Sequence, residues 1–182
     1  MAYTSELQRS APWGLARVSH RDGLTLETFN KYEYEADGGE GINVYVIDTG
    51  VNVGHVDLED RAIWGKTIPK GDDDEDGNGH GSHCAGTIAG KRFGVAKKAN
   101  VTAVKVLRSN GSGTMADVIA GVDWATEQHN KAAIAAKKAG KTFKGSVANM
   151  SLGGGKVTAL DLAVNGVSNK FILKNLYFLV GI

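Results

Sequence analysis

Ile42-Asn43-Val44-Tyr45-Val46-Ile47-Asp48-Thr49-Gly50 is the stretch on which the reading of this chain turns. It is apolar and β-branched, as a strand buried on both faces would be, and it ends abruptly in a carboxylate, a hydroxyl and a glycine. Open α/β sheets place their chemistry beyond the carboxyl ends of such strands, which makes Asp48 a candidate functional acid. Further on, Asp76-Gly77-Asn78-Gly79-His80-Gly81-Ser82-His83-Cys84-Ala85-Gly86 sets a histidine among small residues. Gly81, Ser82, Ala85, Gly86, Ala89 and Gly90 suit a helix pressed closely against a sheet, so a helix is expected from His80 to Gly90.

Outward from these two stretches, residues 101–107 read as a second central strand closed by a turn over 109–113. Thr114 and Asp117 resemble a capping box, and Met115, Val118, Ile119, Val122 and Ala125 keep helical spacing. A helix is therefore predicted from Met115 to beyond Glu127, with an Ala/Lys-rich extension ending near Gly140. Residues 147–152 read as a third strand stopped by Gly153-Gly154-Gly155, and Thr158-Ala159-Leu160-Asp161 opens another helix. Residues 2–40 show no clear period, Pro12-Trp13-Gly14 reads as a loop, and 51–70 reads mostly as loop. Alternating strands and helices predict an α/β fold, a three-layer doubly wound parallel sheet.

The bulk properties bound the function. The 182 residues hold 42% hydrophobic and 23% charged side chains, ordinary for a globular domain with a sizeable core. A net charge of +1 argues against a nucleic-acid partner. The single cysteine, Cys84, excludes an internal disulfide. No signal peptide opens the chain, and the apolar stretch over 171–182, broken by Lys174-Asn175, is too short to span a bilayer.

Alone, an Asp after a strand is most often a cap, and a His beside glycines is unremarkable. Together, Val46-Ile47-Asp48-Thr49-Gly50 and Gly79-His80-Gly81-Ser82-His83-Cys84-Ala85-Gly86-Thr87 closely resemble two of the three signature blocks of subtilisin-like serine proteases. Cys84 and Asn149-Met150-Ser151-Leu152-Gly153-Gly154-Gly155 look like the proteinase K branch. Pro12-Trp13-Gly14-Leu15-Ala16-Arg17 and Phe29-Asn30-Lys31-Tyr32 are similar to the mature start of fungal vacuolar subtilases. The resemblance runs over residues 2–165.

It implies a serine endopeptidase in which His80 moves the proton and Asp48 orients and stabilises the imidazole. It also implies that Ser109, Asn110, Gly111, Ser112 and Gly113, with Ser151, Leu152, Gly153 and Gly154, flank an extended polypeptide substrate by β-augmentation. No cofactor is required, no metal ligands are assigned, and a structural calcium is allowed at no particular residue. A vacuolar or secreted location is implied. Because fungal vacuolar subtilases are known as allergens, IgE antibodies are a second class of partner, with an inactive isoform or allergen fragment as the alternative reading.

One block is missing. Gly-Thr-Ser-Met-Ala does not occur, and Gly113-Thr114-Met115-Ala116 lacks the serine. Residues 1–165 are therefore expected to be the amino-terminal part of a peptidase domain, itself catalytically inactive and poorly stable. Residues 166–182 are expected to be a non-homologous tail, read through from an unspliced intron, with 171–173 and 177–180 aggregation-prone.

Other sites weigh less. Asp72, Asp74, Asp76 and Gly77 open like an EF-hand, but position twelve is His83 where a bidentate Glu is needed; a solvated acidic loop is the better reading, with at most a weak cation site. His80, His83 and Cys84 lack a second zinc-ligand pair. Among three glycosylation patterns, only Asn110-Gly111-Ser112 is expected to be accessible.

Overall fold

The computed structural model describes residues 4–155, 157–169 and 176–180. Strands β1 (Ser5–Arg9) and β2 (Lys31–Glu35) pair antiparallel, with helix α1 (Trp13–Ser19) between them in sequence. The remaining strands are β3 (Asn43–Asp48), β4 (Ala62–Thr67), β5 (Asn100–Lys105), β6 (Ser146–Met150) and β7 (Leu176–Val180). They form one sheet in the order β4-β5-β3-β6-β7, parallel at every pairing. Helices α2 (His80–Ala89), α3 (Met115–Lys138) and α4 (Thr158–Asn169) make three of the crossovers.

The chain leaves the central strand toward one edge, building β4 and β5, and then crosses to the other side for β6 and β7. That reversal makes the sheet doubly wound and opens a crevice at the carboxyl end of β3. Strand alternation explains the two-sided core. Val44 and Val46 pack with Val101, Ala103 and the Ala85 and Ala89 of α2. Tyr45 and Ile47 face the opposite way, against Val104, Val118, Val122 and Ala125. Val46 and Ile47 are fully buried, each stabilising the fold by roughly 1.5–3 kcal/mol.

Three stretches depart from the sequence reading. The first forty residues contain β1, β2 and α1, although Pro12-Trp13-Gly14 reads as a loop. Here Pro12 stands at the helix N-cap position, where a missing amide costs nothing. Residues 62–67 form an edge strand whose pairing slips around Gly65, and that slip erases the period-two signature. Beyond residue 165 the sequence suggests a break from the helix-then-strand pattern. Instead, α4 runs to Asn169 and β7 continues the parallel sheet from β6. The segment 171–173 lies outside the described residues.

Candidate active site

Asp48 ends β3 with its carboxylate fully buried. Its Oδ1 accepts hydrogen bonds from His80 Nδ1 at 2.7 Å and from the Thr49 amide at 2.7 Å. A carboxylate only accepts, so this contact keeps the imidazole proton on Nδ1 and leaves Nε2 with its lone pair. His80 is half exposed and lines a cleft of about 430 Å³. The pair is therefore an imidazole oriented on its buried side and free to take a proton on its open side.

The meeting depends on how closely α2 approaches β3. A Cβ on Gly81 would lie 1.9 Å from the Gly50 carbonyl oxygen and 3.2 Å from the Asp48 Cβ, so only glycine lets the helix start this near the strand end. Gly50 itself adopts φ +112°, turning the chain away beneath Trp64.

The first amides of the helix all find acceptors. Gly79 N–H donates to Asp76 Oδ1 at 2.9 Å and His80 N–H to Asn78 Oδ1 at 3.3 Å. Gly81 N–H donates to the Thr49 hydroxyl at 3.0 Å and Ser82 N–H to Asp76 Oδ2 at 2.9 Å. Thr49 in turn donates to Asp76 Oδ1 at 2.8 Å. Burial would raise the Asp76 carboxyl, but hydrogen bonds from Ser82, Gly79 and Thr49 outweigh it and hold its pKa below the ordinary value.

Asp76 and Thr49 are thus part of the site's frame, and the sequence reading missed both. The available signal was an acid three residues before the glycine at which the helix starts. The acidic run is solvated at Asp73, Asp74 and Glu75, as expected of it, but not at Asp72 and Asp76. Asp72 Oδ2 lies 3.4 Å from Lys105 Nζ, Asp74 Oδ1 accepts from Thr67 at 2.6 Å, and Asp76 caps α2. Asp72 and Asp76 turn inward, while Asp74 meets its donor at the surface.

Cys84 Sγ lies 3.9 Å from Asp48 Oδ2. Burial pushes the thiol up, and the Asp48 charge adds to it against a hydrogen bond to Ser151, so the group stays protonated. Among the described residues, Asp48, His80 and Cys84 bring one ligand atom each within 4.8 Å of one another, with Asp48 in place of His83. A thiol, an imidazole and one carboxylate do not make the all-oxygen shell that calcium takes.

Of the expected substrate-binding residues, Gly111, Ser112, Gly113, Ser151, Leu152 and Gly153 line the cleft beside His80. Ser109 and Asn110 instead belong to a tight turn closed by Arg108 N–H donating to Ser112 O at 2.8 Å, and Gly154 sits outside the lining. Asn78 Nδ2 donates to Ser109 O at 3.0 Å, tying this rim to the histidine loop. Leu107, Met115 and Val118 add an apolar floor that sequence spacing had assigned only to core packing.

The sequence profile described as the Subtilase family matches residues 39–174. The chain belongs to the subtilase family. It is 72% identical over 159 residues to a subtilisin-like protease of Coccidioides posadasii, covering 87% of this chain and 32% of that protein. It is 70% identical over 160 residues to the subtilisin-like serine protease Pen c 2 of Penicillium citrinum, covering 87% of this chain and 35% of that protein. The crystal structure of a cold-adapted subtilisin-like serine proteinase superposes with a TM-score of 0.75 at 41% identity, covering 94% of this chain and 55% of that one. This subtilase chain spans about a third of the length of the curated relatives it matches. The subtilisin-like fold expected from the sequence is the one found. The Coccidioides and Penicillium relatives are fungal, and some relatives are named as allergens. No described helix is long and apolar enough to cross a membrane.

Proposed function

We propose that the whole protein is a serine endopeptidase in which Asp48 and His80 are two members of an Asp-His-Ser set. The observation that carries this reading is the 2.7 Å contact between a fully buried carboxylate and an imidazole that opens onto a cleft. In that role His80 Nε2 takes the proton of an attacking serine hydroxyl as its oxygen bonds to the scissile carbonyl carbon. The same nitrogen returns the proton to the leaving amine, and water then hydrolyses the acyl-enzyme. Asp48 holds the tautomer and stabilises the imidazolium between these steps.

The substrate is an extended polypeptide along Gly111–Gly113 and Ser151–Gly153, with an apolar side chain over Leu107 and Met115. No cofactor takes part in these steps, and a structural calcium has no assigned residues here. A vacuolar or secreted location rests on the resemblance to fungal vacuolar subtilases.

The family's Gly-Thr-Ser-Met-Ala block is not among these 182 residues, so the isolated chain is expected to be inactive. A second reading, an inactive isoform or allergen fragment bound by IgE, is favoured by the allergen names among its relatives. Fluorophosphonate labelling separates the outcomes. The isolated chain should take no label. A chimera joining residues 1–165 to the remaining domain of the Penicillium citrinum relative should be labelled on its serine, and His80→Ala should abolish that labelling. Label on the isolated chain, or undiminished labelling of the His80→Ala chimera, would overturn the proposal.

A further inference from the structure

Lys105 is fully buried, the largest side chain so enclosed among the described residues, at the end of β5 between the apolar Val104 and Val106. Burying an ammonium costs several kcal/mol unless it is well paired, and replacing a whole buried ion pair with apolar groups is often neutral or stabilising. A lysine here therefore needs a reason other than packing. Its surroundings supply one. Lys105 sits directly opposite Asp48 in the β3–β5 register. Its Nζ donates to the Thr49 carbonyl at 2.7 Å, and the Asp72 carboxylate, whose Oδ2 is sealed from solvent, lies 3.4 Å from it.

Thr49 is the residue on which the dyad's geometry converges. Its amide donates to Asp48 Oδ1, its hydroxyl bridges Asp76 and the Gly81 amide, and its carbonyl takes the Lys105 ammonium. Three of its polar groups are thus fixed from three directions.

We propose that Lys105 is a positioning residue. Anchored by Asp72, it pins the Thr49 carbonyl and thereby fixes the Asp48 carboxylate toward His80 Nδ1. The proposal rests on the reading of Asp48 and His80 as a working pair, and its test distinguishes the failure of each.

The test uses the 182-residue chain with ¹⁵N-labelled histidine. The His80 Nδ1–H proton, held by a buried carboxylate, should give a low-field resonance that Asp48→Asn abolishes; its absence from the wild type would defeat the pair reading itself. In Lys105→Met that resonance should broaden and its proton exchange with solvent should quicken roughly tenfold, the loss of one charge-assisted hydrogen bond. Thermal stability should fall in Lys105→Met, which leaves Asp72 Oδ2 buried without a partner, but stay near the wild-type value in the double variant Lys105→Met/Asp72→Leu, where exchange should quicken all the same; a merely structural lysine would show fast exchange only where stability is lost. Should Lys105→Met fail to fold, Asp72→Asn keeps the ammonium and its bond to Thr49 while removing the anchor, and exchange should quicken by a smaller factor. Wild-type exchange in folded Lys105→Met, or in Asp72→Asn where Lys105→Met does not fold, overturns the proposal.

Discussion

Substituting Gly81 by alanine sets two effects of known size against each other. In a helix interior alanine is favoured over glycine by about 1 kcal/mol, so propensity alone predicts stabilisation. Contact predicts the reverse, because the new Cβ would lie 1.9 Å from the Gly50 carbonyl oxygen, a backbone atom that no rotamer change can move. Overpacking of this kind costs roughly 1–3 kcal/mol. Moving α2 off β3 also strains the Gly81 amide bond to Thr49, worth about 0.5–1.5 kcal/mol. The clash wins, and Gly81→Ala should destabilise the chain by roughly 1–3 kcal/mol. Gly86 is the control, since a Cβ there meets nothing within 4 Å in the same helix. Gly86→Ala should stabilise by up to about 1 kcal/mol. Urea unfolding of both variants followed by circular dichroism reads the two signs directly. A Gly81→Ala chain as stable as Gly86→Ala would refute the claim that the helix start is pressed against the strand end.

Asp76→Asn should cost about 1.5–3 kcal/mol, since the amide nitrogen that replaces one carboxylate oxygen cannot accept, and either the Gly79 or the Ser82 donor at the start of α2 loses its acceptor. The Asp76 pKa is held low in the fold, so its contribution is present above about pH 4 and lost as pH falls through the folded value. Acid titration of stability should be flatter below pH ~4 in the variant. Burial lowers the His129 pKa from 6.5, and its Nδ1 has no hydrogen-bond partner among the described residues. The unfolded chain then binds this proton first, so stability should fall as pH drops from about 7 to 5, and His129→Leu should remove that slope. Denaturation midpoints at the two pH values check it. Cys84 should react with iodoacetamide at pH 7.5 at least tenfold more slowly than a free thiol, because burial and Asp48 keep it protonated. Mass spectrometry of timed samples would show otherwise if the reasoning is wrong.

What could be read in the chain follows from where each residue sits. Strand β3 was plain because both its faces are buried, leaving an unbroken apolar run. Strand β4 was not, since it is an edge with Ile63 facing solvent and a pairing slip at Gly65. In β2 the alternation of Tyr32 and Tyr34 with charged residues was present, but a five-residue strand whose tyrosines pack only on the small Ala11–Leu15 cluster, Glu6 and the 91–97 loop gives a weak signal. Asp48 and His80 stood out as a pair of motifs, not as a periodicity. Nothing local marks Thr49 as the bridge between them, because its hydroxyl acquires that task only when α2 is folded against the strand. Composition likewise showed five acids in a row at 72–76, whereas the inward turn of Asp72 and Asp76 depends on donors contributed by β5 and α2.

The most direct test of the Asp48–His80 pair is kinetic, in the chimera that joins residues 1–165 to the rest of its Penicillium citrinum relative's domain. Peptide hydrolysis should fall about 10⁴-fold in Asp48→Asn, which keeps the shape but favours the wrong imidazole tautomer, and about 10⁶-fold in His80→Ala, the losses known for serine-protease triads, subtilisin's among them. An active chimera in which either substitution leaves kcat within tenfold of the parent would show that this carboxylate and imidazole do not carry the reaction.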